Sequence, residues 1–307
     1  MPDDLKPAAQ ATYRPARVED WPAVAPIVAQ TWGGEDYITE ALWREWATRP
    51  QGALLVAEAG GRPVGFARIA YHGPAEWWLE GLRVAPEMQG RGLARGLTQA
   101  LFDWFEQHGD GMVRLSTYSE NEPSQHLARA FGMRHIGSYA SMAAPARPGD
   151  YRSFRLLRPR HLDLAYRFLR RSPVYRANHF VEVEWKLYNL TRDRLAEYLA
   201  DDAVEVLGWR QADALRGLAL LFKDEGEYAV RYDEDALRVG ALYAGDDTTL
   251  HAMLRALRGL AAYRGAGSVT WKMPAGVGLE RVVEEAGFEP EWEDGASLWL
   301  FERPLKP

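Results

Sequence analysis

The 307-residue sequence contains no cysteine. That absence excludes disulfides, metal–thiolate sites and a thiol nucleophile, and it suits a reducing, cytoplasmic setting. No apolar run reaches membrane length, and the acidic start Met1-Pro2-Asp3-Asp4 lacks the charged and apolar parts of a signal peptide, so no membrane partner is expected. An excess of basic charge is missing too. The formal net charge is −6 and the pI about 5.7, with both signs scattered, so no nucleic-acid surface is expected. The histidines are dispersed, and even His126 and His135 are too far apart for a one-turn ligand pair, so no metal is expected. His126 reads as a surface residue. Arg167-Phe168-Leu169-Arg170-Arg171 reads as a solvated helix face. Tryptophan is plentiful, and Trp43, Trp46 and Trp104 fall on helical stripes that predict core packing.

The most informative stretch is Trp77 to Gly109. Leu79, Leu82 and Val84 predict a strand, which Pro86 stops because it has no N–H for the ladder. Leu93, Leu97, Ala100, Leu101 and Trp104 then recur at helical spacing, the stripe of a helix with one buried face. Between them lies Gln89-Gly90-Arg91-Gly92-Leu93-Ala94. Two glycines allow a sharp turn without Cβ atoms, Arg91 and Arg95 bring positive charge, and the first helical N–H groups have no internal partners. Such a turn can cradle a pyrophosphate or simply join a strand to a helix.

The whole stretch narrows that choice. Gln89-x-x-Gly92-x-Ala94, after Leu82-Arg83-Val84-Ala85-Pro86, closely resembles the acyl-CoA signature of the GCN5-related N-acetyltransferases, the GNAT superfamily. A second segment follows in register. Val113 to Thr117 reads as a strand, and Asn121, Ser124, Leu127, Gly132 and Met133 match the family's later helix, with Gly132 suited to a left-handed cap.

The resemblance implies acetyl-CoA as co-substrate. Backbone N–H groups from Gln89 through Gly90, Arg91, Gly92, Leu93 and Ala94 would hold its pyrophosphate, with Asn121 among the cofactor contacts. The backbone of Leu82 and Val84 would pair with the pantetheine arm as an added strand does. The N–H of Leu82 would also polarise the thioester carbonyl, a donor typically worth about 2.7 to 4 kcal/mol at the transition state. The family's frequent proton-donating Tyr is replaced here by Ala128. Tyr118 and Ser116 are the nearby candidates for that role, and Tyr118 can equally be a loop aromatic covering the sheet.

Glu80 is the candidate base. Strand alternation puts it on one face with Leu82 and Val84, where partial burial would raise its affinity for a proton taken from an ammonium substrate. Its plainer reading is an exposed strand carboxylate.

Upstream, Tyr13-Arg14-Pro15 reads as a strand, a helix follows Glu19-Asp20, and Ile38 to Arg49 is helical. In the superfamily these helices line the acceptor site. Trp32 to Tyr37 is therefore the candidate substrate loop, with Glu35, Asp36 and Tyr37 as substrate-binding residues. The two carboxylates would favour a cationic amine, or belong to a solvated loop. Ala53 to Ala57 and Val64 to Tyr71, joined by Gly60-Gly61-Arg62-Pro63, predict a hairpin.

After a closing strand at Ile136 to Met142, a Pro- and Ala-rich stretch reads as a linker. The remainder repeats the order of the first half. Strands are expected at Val204 to Trp209, Gly217 to Lys223, Tyr228 to Tyr232 and Leu237 to Ala244, then a helix through Leu250, Met253, Leu254, Leu257 and Ala261. Here the turn is Ala244-Gly245-Asp246-Asp247-Thr248-Thr249. It lacks the signature, and its carboxylates would cap the helix and repel a pyrophosphate.

The expected architecture is an α/β (α+β layered) chain with two GNAT-type domains, each a mixed, mostly antiparallel sheet flanked by helices. The borders are 1–144 for the catalytic domain, 145–150 for the linker and 151–307 for a degenerate domain. The expected activity is direct acetyl transfer to a small-molecule amine, possibly an amino acid. A fainter resemblance to histidine N-acetyltransferase-like proteins, through Asp36-Tyr37 and Glu80 to Pro86, points to an amino-acid α-amine. The alternatives are a non-catalytic acyl-CoA sensor and a transferase acting on protein N termini or lysines.

Overall fold

Gly60 and Gly61 both take positive φ, as a two-residue turn between twisted strands requires, and they close the hairpin expected there. The computed structural model describes residues 11–31, 34, 36–49, 51–212, 214–223, 235–292 and 295–304. Its chain forms two compact units. The first runs up to Leu115 and takes in Pro123–His135 and the strand residues from Phe301 on; the second holds Ser116–Glu122 and Ile136–Leu300.

In the first unit, β1 (Thr12–Pro15) leads into α1 (Trp21–Ala29) and α2 (Glu40–Thr48). Then come β2 (Gly52–Ala59), β3 (Arg62–Tyr71), β4 (Glu76–Val84), α3 (Leu93–His108), the first residues of β5 (Met112–Tyr118), which passes into the second unit at Ser116, and α4 (Glu122–Ala130) from Pro123 on. The sheet order is β1-β2-β3-β4-β5, with antiparallel pairs up to β4 and a parallel step to β5. Thr39 caps α2 by accepting from Leu42 N–H. Val24, Ile27, Trp43, Trp46, Val56 and Phe66 form its core, with Trp43 edge-on to Phe66 at 5.3 Å.

The second unit begins with most of β6 (Arg134–Pro145), followed by β7 (Phe154–Leu156), α5 (Leu162–Leu169) and α6 (Pro173–Ala177). A separate hairpin of β8 (Phe180–Val183) and β9 (Lys186–Asn189) precedes α7 (Arg192–Ala200), β10 (Val204–Gln211), β11 (Ala214–Phe222) and β12 (Ala236–Ala244). The chain ends with α8 (Asp247–Arg264), β13 (Ser268–Pro274), α9 (Glu280–Glu285), β14 (Glu289–Pro290) and β15 (Leu298–Pro304). The order β7-β10-β11-β12-β13 repeats three antiparallel pairs and one parallel step. The second unit thus repeats the strand order of the first, as the sequence repeat leads one to expect. The strand read at Tyr228 to Tyr232 lies outside the described residues.

Two differences from the sequence reading concern borders. The closing strand of the first half runs on to Pro145, and its register partners over 139–145 are β13 residues in the second unit. The last four strand residues, from Phe301, belong to the first unit. Strand propensity names a strand without naming its partner, so the compact units do not follow the 145–150 linker.

Candidate active site

Strand β4 separates early from β5. Their parallel register covers only Glu76–Trp78 against Met112–Arg114, while β4 stays paired with β3 as far as Val84. Within that second stretch Glu80 faces Arg68 and Arg83 faces Phe66, so Gly81 and Leu82 together oppose the single residue Ala67. This is a β-bulge opened by Gly81 at φ +70°. Trp46 holds it from the α2 side: a Cβ on Gly81 would lie 3.1 Å from the indole Cζ3.

The bulge corrects the alternation argument. Glu80 shares its face with Arg83, because Arg68 and Phe66 are two apart on β3, and Val84 opposite Gly65 lies on the other face. Nor is Glu80 an exposed carboxylate. Its side chain is 7% exposed and its Oε1 is 2.5 Å from Nη1 of Arg68, whose guanidinium stands 4.8 Å over the Trp46 ring.

Arg83 makes the matching pair on the same face. Its Nε and Nη2 donate to the two carboxylate oxygens of Asp36 at 2.7 and 3.2 Å, and its guanidinium lies 5.7 Å from the Tyr37 ring centroid. The Asp36 side chain is 1% exposed, and it also accepts from Ile38 N–H. Asp36 is therefore closed to a cationic substrate, since both its carboxylate oxygens are engaged by Arg83 and its side chain is shut off from solvent, whereas the Arg68 contact of Glu80 is made through Oε1. Tyr37 packs edge-on to Trp46 at 6.3 Å. Glu35 lies outside the described residues.

Below the bulge the chain turns through Pro86–Met88, a short 3-10 segment, and Gln89 Nε2 donates back to the Val84 carbonyl at 3.2 Å. Gly90 and Gly92 take φ of +72° and +79°, and a Cβ at either would meet nothing within 4 Å. The glycines serve the backbone turn and leave its surface open. Gly92 is the N-cap of the 16-residue α3, which has no side-chain cap and no acidic residue in its first turn. Arg91 Nε is buried without a hydrogen-bond partner. Uncapped helical N–H groups from Leu93 and Ala94 onward, an orphan arginine donor and an open glycine turn together fit a pyrophosphate.

Tyr118 belongs to the second unit, its ring edge-on to Trp185 at 4.5 Å and to Trp292 at 4.9 Å. Ser116, the other proton-donor candidate, gives its hydroxyl to the Trp185 carbonyl at 2.5 Å. Asn121 N–H closes a turn onto the Tyr118 carbonyl at 3.0 Å. Ala128 is buried, and His126 is exposed.

The second unit's equivalent turn is closed. Asp246 accepts from Thr249 N–H at 2.8 Å and caps α8, as its sequence suggests. A bulge recurs at Gly240, but a side chain there would meet Phe222 and, at 2.8 Å, the carbonyl of Glu182 on β8. Among the described residues no cluster of His, Asp or Glu could hold a metal, and no helix is long and apolar enough to cross a membrane.

Sequence reasoning missed Arg68, Arg83 and Gly81. The signal for Arg68 was present: a lone charge inside Val64–Ala70, which is otherwise apolar and glycine.

The Acetyltransferase (GNAT) family model matches residues 15–133. The chain is 30% identical over 116 residues to the N-alpha-acetyltransferase RimI of Mycobacterium tuberculosis, covering 37% of this chain and 72% of that protein. It is 38% identical over 88 residues to the mycothiol acetyltransferase of Pseudarthrobacter chlorophenolicus, which is 27% of either length. In fold it is similar to a GCN5-related N-acetyltransferase of Sphaerobacter thermophilus, with a TM-score of 0.64, 15% identity and 98% of each chain covered.

Proposed function

The chain belongs to the Acetyltransferase (GNAT) family and is an N-acetyltransferase by that membership, and on that premise we propose that it moves an acetyl group from acetyl-CoA directly to a small-molecule amine, amino acids included. The observation that carries this reading is the uncapped start of α3 behind two left-handed glycines, next to a strand that is bulged and parted from its neighbour.

Acetyl-CoA supplies the activated acetyl thioester. The chain's share is to hold and orient it: backbone N–H groups from Gln89 to Ala94 take the pyrophosphate, with Arg91 beside them and Asn121 as a further contact. The backbone at Leu82 and Val84 would take the pantetheine arm, and Leu82 N–H, at the bulge, is the proposed donor to the thioester carbonyl. Glu80 receives the amine's proton, and Tyr118 is the proposed donor to the departing sulfur. Among the described residues of the proposed acceptor loop Tyr37 is the candidate left to recognise substrate, since Asp36 is engaged by Arg83, and Glu35 stays a proposed contact. In the second half the Asp246 cap and the covered bulge support a domain that binds no acyl-CoA, and we keep 1–144, 145–150 and 151–307 as the functional partition.

Titrating the protein with acetyl-CoA by calorimetry, beside Gly92→Glu, tests the cradle. One site per chain, lost in the variant, is expected; no binding by the unaltered protein would sink the reading. Thiol release with a panel of amines then separates an enzyme from a sensor, which would bind without release. A peptide α-amine belongs in that panel, because the similarity to an N-alpha-acetyltransferase favours protein N termini as a second reading.

A further inference from the structure

We infer that Arg68 is a positioning residue for Glu80, fixing the carboxylate in one place and keeping it ionised through the pH range in which the amine is acetylated. The inference rests on Glu80 being the base. Four observations carry it.

Arg68 is the cross-strand partner of Glu80 in the β3–β4 register, at the last pair before the bulge. Their side chains are 10% and 7% exposed, so the 2.5 Å contact is shielded from solvent. The guanidinium is itself held, face to ring, over the buried Trp46. And Trp46 also packs against Gly81, so one indole sets both the arginine and the bulge.

Arg68 comes from β3, Arg83 lies on the same face of β4, and Asp36, from the chain before α2, is taken up by Arg83. Burial raises the hold of Glu80 on a proton, as the sequence reading expects, but carried far enough it would leave the acid protonated before the amine arrives. A guanidinium in contact opposes that effect. The Glu80 carboxylate can then take the proton as the amine nitrogen forms its new bond, without first losing one of its own. The Arg83 pair performs a different task, tying Asp36 and hence the acceptor loop to the strand that carries the base.

A structural ion pair would look similar in stability measurements, since a buried pair replaced by apolar groups is often neutral. A titration distinguishes the two. In the full-length protein labelled with 13C at the glutamate carboxyl carbon, the Glu80 resonance is identified by its loss in Glu80→Gln and followed from pH 7 downward. In the unaltered chain it should stay in the ionised position below the ordinary glutamate midpoint of about 4.3. Arg68→Met should move the midpoint up by about one pH unit or more, and Arg68→Lys should restore part of the difference. Glu80 titrating at or above the ordinary midpoint in the unaltered protein would overturn the inference, whether or not Arg68→Met folds. The base itself is tested separately: acetyl-CoA turnover unchanged in Glu80→Gln would remove the reading on which Arg68 depends.

Discussion

Trp46 fills the space into which a side chain at Gly81 would project, with its Cζ3 3.1 Å from the position of a Cβ. The contact joins α2 to the bulge where β4 departs from its ladder with β3. Gly81→Ala must place an L residue at φ +70° and push the indole aside. We expect a loss of about 1–3 kcal/mol, read from the urea midpoint. Acetyl transfer should fall further than stability accounts for, because the bulge carries Leu82. A variant as stable and as active as the parent would show that the bulge tolerates a side chain.

The caps of α3 and α8 give a second contrast. Asp246→Ala removes the hydrogen bond to Thr249 N–H and should cost about 1 kcal/mol. It should not create an acetyl-CoA site, because freeing a helix end does not supply the two left-handed glycines that open the first turn. Calorimetry showing a second site per chain in Asp246→Ala would contradict this.

How much of this was legible in the sequence depends on the distance over which each feature is set. The glycine turn was legible because φ, capping and charge are local to Gln89–Ala94. The strands of the first unit, and β10, β11 and β12 of the second, were legible through hydrophobic runs and turn residues, while the β8–β9 hairpin, β13 and β15 went unread. The ion pairs were not. Arg83 and Asp36 are 47 residues apart, and Glu80 meets Arg68 only in a register that depends on a one-residue bulge. A lone glycine in a strand hints at a bulge without saying how the faces shift. The partner of β6 was hidden for the same reason, since its mate β13 lies far along the chain.

Acid sensitivity has an identifiable source near the start of the first unit. Burial pushes the Asp20 carboxyl up, but hydrogen bonds from Arg14 and from Arg17 N–H outweigh it and hold it below its usual value of 3.8. A carboxylate depressed by folding stabilises above its unfolded value and loses that contribution as pH falls through the folded one. Asp20→Asn should therefore cost about 1–3 kcal/mol at neutral pH. The gap between the two proteins should shrink below about pH 4. A gap that stays constant in denaturant titrations from pH 7 down to pH 3 would rule out this linkage.

The end of the chain helps to complete the first unit, and this gives a test remote in sequence from the cradle. Arg114 on β5 is buried, with Nη1 2.6 Å from Glu76 on β4 and Nε 2.8 Å from Glu302 on the last strand. Next to Glu302, Arg303 reaches Glu106 at 2.8 Å and lies 4.4 Å over Phe102, both on α3. Arg114→Leu leaves two carboxylates facing an apolar side chain, one of them on a side chain 9% exposed. Breaking a buried pair in this way costs about 3–5 kcal/mol. Ending the chain after Leu300 should loosen the same sheet edge, read as faster hydrogen exchange at the amides of Val113 and Arg114. Because α3 begins at the cradle and carries Glu106 and Phe102, acetyl-CoA affinity should fall with the truncation. If exchange and affinity both matched those of the full chain, the last strand would be an attachment to the first unit and not a part of it.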